Sequence, residues 1–301
     1  MIGRRPVQFA LLTPQDPEYP AALRAIADPP QTLYVRGRLV EADRMAVAVV
    51  GARRASPYGV AVAEWLGREL ARNGVTVVSG LARGIDAAAH RGALQGGGRT
   101  IAVLGCGVDI IYPPEHGRLV AQITGAGAVL SEYPPGTPPL KHQFPRRNRL
   151  ISGLALGVVV VEGREDSGAL ITADCALDQG REVFAVPGPV FAQTSVLPHR
   201  LLQQGAKLAT TVEDILEELH LPMRPVLTPS VALIGAQAAV YAQLTLDPQH
   251  IDVVALRSGL PIAEVARTIV ALELQGMVRA LAGQRYVRAT LEGTSSGEAS
   301  G

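Results

Sequence analysis

The chain is poor in sulfur, poor in aromatic surface and free of long apolar runs, and each shortage removes a class of protein. Its two cysteines in 301 residues, Cys106 and Cys175, lie in separate apolar stretches with no CxxC and no neighbouring histidine. Buried free thiols are expected there, not a disulfide or a metal site. No apolar run approaches the roughly 20 residues of a membrane span. The N-terminal MIGRRPVQFALL lacks the apolar region and small-residue cleavage site of an export signal, which points to the reducing cytoplasm. No GxxxxGK[ST] loop occurs, so a P-loop ATPase has no support. Gly105 and Gly107 lack a third glycine at dinucleotide spacing, and no cofactor is expected. Catalytic sets are equally thin. His90 follows Asp86 by one helical turn, a spacing that suits an acid/base pair but equally a capping aspartate beside a packed histidine. Glu132 and Glu162 end two strand-like runs, and only close approach would make them a glycosidase pair.

What is present is apolar: 48% of the residues, enough for a large core and one main domain with a smaller companion. Six short β-branched runs (AVAVVG, VTVVSG, TIAVLG, GAVLSE, GVVVVEG and EVFAVPG) alternate with helical patterns. That alternation predicts an α/β fold, a Rossmann-like doubly wound, mostly parallel sheet covered on both faces. The run VAVAEWLGRELA, with Val62, Trp65, Leu66 and Glu69 on one side, supplies a covering helix. Residues 1–40 are broken by prolines into short groups and read as a strap leading into a core domain over 41–220. LPMRPVLTPS reads as a linker over 221–230. Three helical patterns and the hairpin MVRALAGQRYVRA over 231–289 describe a small C-terminal winged-helix domain, and residues 290–301 a disordered tail. In that domain Ile262, Val265, Ala266, Ile269 and Leu272 form one apolar stripe.

A net charge of +1 conceals a division. Residues 211–301 hold ten acidic against six basic side chains, while residues 1–210 hold 22 basic against 17 acidic, so the positive field belongs to the larger part. Its densest point is KHQFPRRNRL, where Lys141, Arg146, Arg147 and Arg149 surround Phe144 with no acid among them. Cations suit phosphates and an exposed ring suits an unstacked base, which together fit a single strand of nucleic acid. A solvated basic turn is the alternative. In a doubly wound sheet ligands bind beyond the carboxyl ends of the strands. There GARRASPYG offers Gly51, Arg53 and Arg54, and SGLARGID offers Ser79, Gly80 and Arg83, whose backbone amides suit a phosphate cradle.

Taken together, VVGARRASPYG, VVSGLARGIDAAAHRGAL, TIAVLGCGVDIIYPPEH, LSEYPPGTPP, FPRRNRLISGL, SGALITADCAL and REVFAVPG resemble the DNA-processing protein A (DprA/Smf) family. The resemblance implies an extended Rossmann domain that dimerises and a non-catalytic role. That role is binding incoming single-stranded DNA during natural transformation, loading RecA onto it past single-strand-binding protein, and protecting it. Matched to the family's motifs, the DNA contacts fall on Gly51, Arg53, Lys141, Phe144, Asn148 and Arg149. Arg147 and Arg149 also admit a structural reading, as helix caps or partners of buried carboxylates. Many members carry a further small helical domain before the strap; this chain starts near the strap and is expected to lack it. VLPHRLLQQGAKL departs from the family's usual glycine-x-asparagine, and Leu201, Leu202 and Leu208 are candidates for the dimer and RecA surface, against ordinary core packing.

Two other classes stay open on the residues. A Rossmann-type nucleotide or nucleoside phosphate hydrolase would need a PGGxGT-type loop, which is missing. A winged-helix transcriptional regulator would need a basic recognition surface, whereas the candidate helix offers Glu264, Arg267 and Glu273.

Overall fold

The computed structural model describes residues 8–223, 233–245, 248–274, 277–281 and 283–288, in two compact units, Met1–Val226 and Leu227–Gly301. Most of the expected linker and the whole expected tail lie outside the described residues.

In chain order the first unit runs β1 (Ala10–Leu12), α1 (Ala21–Arg24), β2 (Leu33–Gly37), β3 (Ala46–Val50), α2 (Pro57–Arg72), β4 (Thr76–Ser79), α3 (Ile85–Gln95) and β5 (Thr100–Leu104). It continues with α4 (Gly117–Ala126), β6 (Ala128–Ser131), α5 (Gln143–Leu154), β7 (Gly157–Val160), α6 (Gly168–Asp178), β8 (Glu182–Ala185), α7 (Val196–Gln203), β9 (Lys207–Leu208) and α8 (Val212–Glu218). All six apolar runs are strands, β3 to β8. They form one sheet in the order β1-β2-β6-β5-β4-β3-β7-β8-β9. Every pair from β6 through β9 is parallel, and β2 joins β6, and β1 joins β2, antiparallel.

The strap expectation therefore needs correction, since residues 10–37 supply two strands. The prolines of this segment all fall between the two strands, so they shorten its elements without removing a donor from either. Tyr19 anchors the intervening segment by donating its hydroxyl to the Pro30 carbonyl at 2.9 Å.

The central strands are buried on both faces, which is why they read as continuous apolar runs. In β3, Ala46, Ala48 and Val50 join the core under α5 and α6, while Val47 and Val49 join the core under α2 and α3. The inner face of α2 is Ala63, Leu66, Leu70 and Ala71, rotated from the face expected, with Val62 and Trp65 only partly buried. The cause is close helix packing: a Cβ on Gly67 would collide with the Ala89 carbonyl of α3, and one on Gly92 with the Glu64 carbonyl. Small residues therefore mark the buried side.

The second unit contains α9 (Ala236–Gln243), β10 (Gln249–His250), α10 (Ile251–Ser258), α11 (Ile262–Leu274), β11 (Val278–Leu281) and β12 (Arg285–Arg288). The strands order as β10-β12-β11, all antiparallel, a winged-helix arrangement. Val265, Ile269 and Leu272 fill its core together with Val240 and Val254. Ile262 was expected in that stripe but is 51% exposed, because it sits in the first turn of α11, ahead of the packed segment. Among the described residues no helix is long and apolar enough to cross a membrane.

Candidate nucleic-acid interface

The strand order reverses around β3: β4 to β6 extend to one side of it, and β7 to β9 to the other. Such a switch point opens a crevice at the carboxyl ends of the two strands that flank it, here β3 and β7. A cleft of about 710 Å³ lies there, lined from both strand-end loops by Gly51 to Arg54 and by Arg164 and Asp166 to Ala169, with Lys141 contributed by the turn before α5 and Phe144, Arg147 and Asn148 by its start.

The loop after β3 is tied down from beneath. Ala52 donates its N–H to the Glu162 carbonyl at 2.8 Å and accepts from the Ile85 N–H at 3.2 Å. Gly51 is required by crowding, since a Cβ would lie 2.6 Å from Ile85 Cγ1 and 2.8 Å from the Glu162 carbonyl oxygen. Gly84 has φ +75° and faces the Ala52 carbonyl, a position that only glycine occupies without strain. These ties leave Arg53 and Arg54 exposed at the tip. Ser56 caps α2 by accepting from Gly59 N–H at 3.1 Å, and its own N–H donates to the Glu162 carboxylate at 2.9 Å. Ser56 and Thr194 hydroxyls complete that carboxylate's set.

Helix α5 divides along its length. The turn leading into it and its first residues present Lys141, Phe144 and Pro145 to the cleft. Its next turn faces inward: Arg147 is buried and its guanidinium donates to the carbonyls of Gly80, at 2.8 Å, and Val103. Burial pushes its pKa down to about 10, opposed by the nearby carboxylate of Asp86. Asp86, whose own pKa is raised by burial, accepts from the N–H groups of Gly80 and Ala82. Asn148 accepts from Arg147 Nε and donates to the Gly168 carbonyl at 3.1 Å, joining α5 to the start of α6. Arg149 spans Glu132, at 2.7 Å, and Asp28, at 3.0 Å.

The cleft's cations are differently placed. Among the described residues Arg53, Arg54, Lys141 and Arg164 have no carboxylate within ion-pair distance. The chain has two lysines, and the other, Lys207, pairs with Glu218 at 3.1 Å. The Arg53 guanidinium lies 5.3 Å from the centre of the Phe144 ring, and Tyr112 packs on the same ring with centroids 5.6 Å apart. Four cations without ion-pair partners thus share the cleft with two rings, a surface suited to phosphates and bases. Among the described residues no cluster could hold a metal ion.

Residues 10–220 match the family model for DNA recombination-mediator protein A, and residues 228–284 match the DprA winged helix domain. The chain belongs to the DNA recombination-mediator protein A family. Protein Smf of Escherichia coli (strain K12) is 46% identical over 290 residues, 92% of this chain and 77% of that protein. DNA processing protein DprA of Bacillus subtilis (strain 168) is 46% identical over 203 residues, 67% of this chain and 68% of that one. Among solved structures, DNA processing protein A from Streptococcus pneumoniae superposes with a TM-score of 0.67 at 46% identity, covering 70% of this chain and 74% of its own. DNA processing protein A from Helicobacter pylori, described for its single-stranded DNA binding mode, gives a TM-score of 0.64 at 31% identity, covering 72% and 98%.

In this recombination-mediator family member the cleft gathers Gly51, Arg53, Lys141, Phe144, Arg147 and Asn148 and leaves out Arg83, Arg146 and Arg149. Arg83 pairs with Glu115. Arg146 is exposed and 3.7 Å from Glu132, and Arg149 follows the structural reading, held against a buried carboxylate. The cradle expected of Ser79 and Gly80 does not form. The Ser79 hydroxyl donates to the Val49 carbonyl at 2.7 Å, and the Gly80 N–H already serves Asp86. Gly80 is instead the space into which the Arg147 guanidinium fits, 2.6 Å from where a Cβ would stand.

Leu201 is core, 3% exposed, and Leu202 is half-buried against the same core, so both follow the core-packing reading and drop out as docking candidates; Leu208 is 52% exposed on the edge strand β9. The carboxylates Glu132 and Glu162 are engaged by Arg149 and by Ser56 with Thr194. His90 is buried, with Nδ1 2.7 Å from the Thr100 hydroxyl. Cys106 is a buried free thiol and Cys175 a half-buried one.

Sequence reasoning gave no role to Tyr112, Arg164 or Asp166, all of which line the cleft. The crevice rule, applied to the loop after β7 as well as to the loop after β3, would have found the last two.

Proposed function

We propose that this protein binds single-stranded DNA in the β3–β7 cleft without sequence preference and catalyses no reaction. It delivers the strand to RecA in the cytoplasm, past single-strand-binding protein, during natural transformation. The observation that carries this reading is the set of unpaired cations around the Phe144 and Tyr112 rings. Charge at Lys141, Arg53, Arg54 and Arg164 holds the sugar-phosphate chain, and a ring face accepts any base. Paired, stacked bases offer no free face, so a duplex binds more weakly. Membership of a recombination-mediator family and the single-stranded DNA binding described for the Helicobacter pylori relative support the same reading.

The protein acts as a homodimer. Leu208, exposed on the edge strand β9, is the remaining candidate from the apolar segment for contact with a second copy. Two clefts on one strand raise affinity through effective concentration. The winged-helix unit serves a protein contact instead of duplex reading: α11 has one cation, Arg267, and exposes Ile262, Val270 and Leu274.

Fluorescence anisotropy with labelled oligothymidine and the matching duplex, at two salt concentrations, tests the cleft. Single-strand preference, strong salt dependence and a loss of tenfold or more, about 1.4 kcal/mol, in Lys141→Ala/Phe144→Ala are expected. Equal binding by that double variant would sink the assignment.

A further inference from the structure

Two aromatic rings line the cleft, and they touch each other. Tyr112 belongs to the loop between β5 and α4. It is partly buried against Leu81, Leu104, Val108 and their neighbours, yet it also lines the cleft. Its ring meets that of Phe144 at 5.6 Å between centroids with a 35° tilt. Gly105 makes room for this pair, because a Cβ there would stand 2.9 Å from Phe144 Cδ1. A further planar neighbour of Phe144 is the Arg53 guanidinium, 5.3 Å from the ring centre. A base can take that face of the Phe144 ring only once the guanidinium has left it.

We propose that Tyr112 is a second base-contacting residue of the cleft: Phe144 takes the face of one base and Tyr112 a face of its neighbour, while Arg53 leaves Phe144 for a phosphate as the strand enters. This rests on the single-strand reading of the cleft and adds a residue to it. The exchange is favourable at both ends. A base on a ring outweighs an exposed guanidinium on the same ring, and the guanidinium gains a charge-assisted hydrogen bond to phosphate. Tyr112 already has the rigidity that stacking needs, since its inner side is fixed by the core.

The test uses the full chain and labelled oligothymidine. Tyr112→Ala is expected to weaken binding by about tenfold and Tyr112→Phe to leave it within about twofold. The slope of log affinity against log salt stays unchanged in both, because no phosphate contact is lost. Oligothymidine carrying 5-iodouracil, irradiated on the wild-type protein, is expected to give an adduct at Tyr112 by peptide mass spectrometry. That readout depends on contact and not on the folding of a variant. An adduct confined to other residues overturns the inference even if Tyr112→Ala binds weakly, since Tyr112 would then only position Phe144. Undiminished binding by Tyr112→Ala overturns it alone. Failure of the wild-type protein to bind oligothymidine overturns the reading of the cleft and this inference with it.

Discussion

The two halves of one decapeptide, Lys141–Pro145 with a single lysine and Arg146–Leu150 with three arginines, have opposite fates. The first half ends in the cleft, with a lysine that has no carboxylate partner among the described residues and a ring open to contact. The second spends its cations on the protein itself: Arg147 on two strand-end carbonyls and Arg149 on Glu132 and Asp28. The difference comes from helical rotation. Positions 147, 148, 150 and 151 face the sheet, and an arginine on that face must find acceptors or forfeit its hydration. Basic density in a sequence therefore counts candidates for a polyanion site, and the helix phase removes some of them.

The hardest test of this contrast is Arg147→Met. Removing the guanidinium leaves two carbonyls unsatisfied and Asp86 buried without its cationic neighbour, and a loss of roughly 3 kcal/mol of stability is expected in urea unfolding. Unchanged stability with lost oligothymidine binding would break the comparison and return Arg147 to the ligand-holding group.

A second effect separates the interior from the cleft by pH. Burial lowers the His90 pKa to about 3 from an ordinary 6.5. The unfolded chain therefore takes up a proton below pH 6.5 that the folded protein refuses. This group's contribution to stability is intact above pH 6.5 and falls by about 1.4 kcal/mol per pH unit as pH drops towards 3. Asp86, with its raised pKa, acts in the opposite sense once the unfolded carboxylate stays charged and the folded one does not. His90→Gln should flatten the unfolding-versus-pH curve between pH 6.5 and 4. A curve unchanged by that substitution would remove His90 as the source.

The smallest effect is expected at Arg146, which belongs to the inward-spent half by sequence but is 61% exposed and 3.7 Å from Glu132. Arg146→Ala should change stability by less than about 0.5 kcal/mol, and anisotropy should show oligothymidine affinity altered by under about threefold. A larger loss of binding would extend the ligand surface past the first turn of α5.

Much of the fold was legible because doubly buried parallel strands leave an unmistakable record: six β-branched runs, each ending in a small residue or a turn. The antiparallel strands β1 and β2 were not, since flanking prolines and short length hide strands that gain their stability from a neighbour far along the chain. The short β9 and β10 escaped for the same reason. At the site, Lys141, Arg53 and Phe144 could be singled out by residue type and strand-end position, whereas Tyr112 could not, because its contact with Phe144 crosses from one strand-end loop to another.

By itself the sequence determined the six central strands, the helices that cover them and the family, because burial on two faces and local turn chemistry act through neighbouring residues. Only the tertiary structure decided which arginines stay available, why Gly80 is a glycine and which second ring stands in the cleft. Those outcomes depend on acceptors and surfaces brought together from β4, β5, α3 and α5, and desolvation, which has no local signature, chose among them.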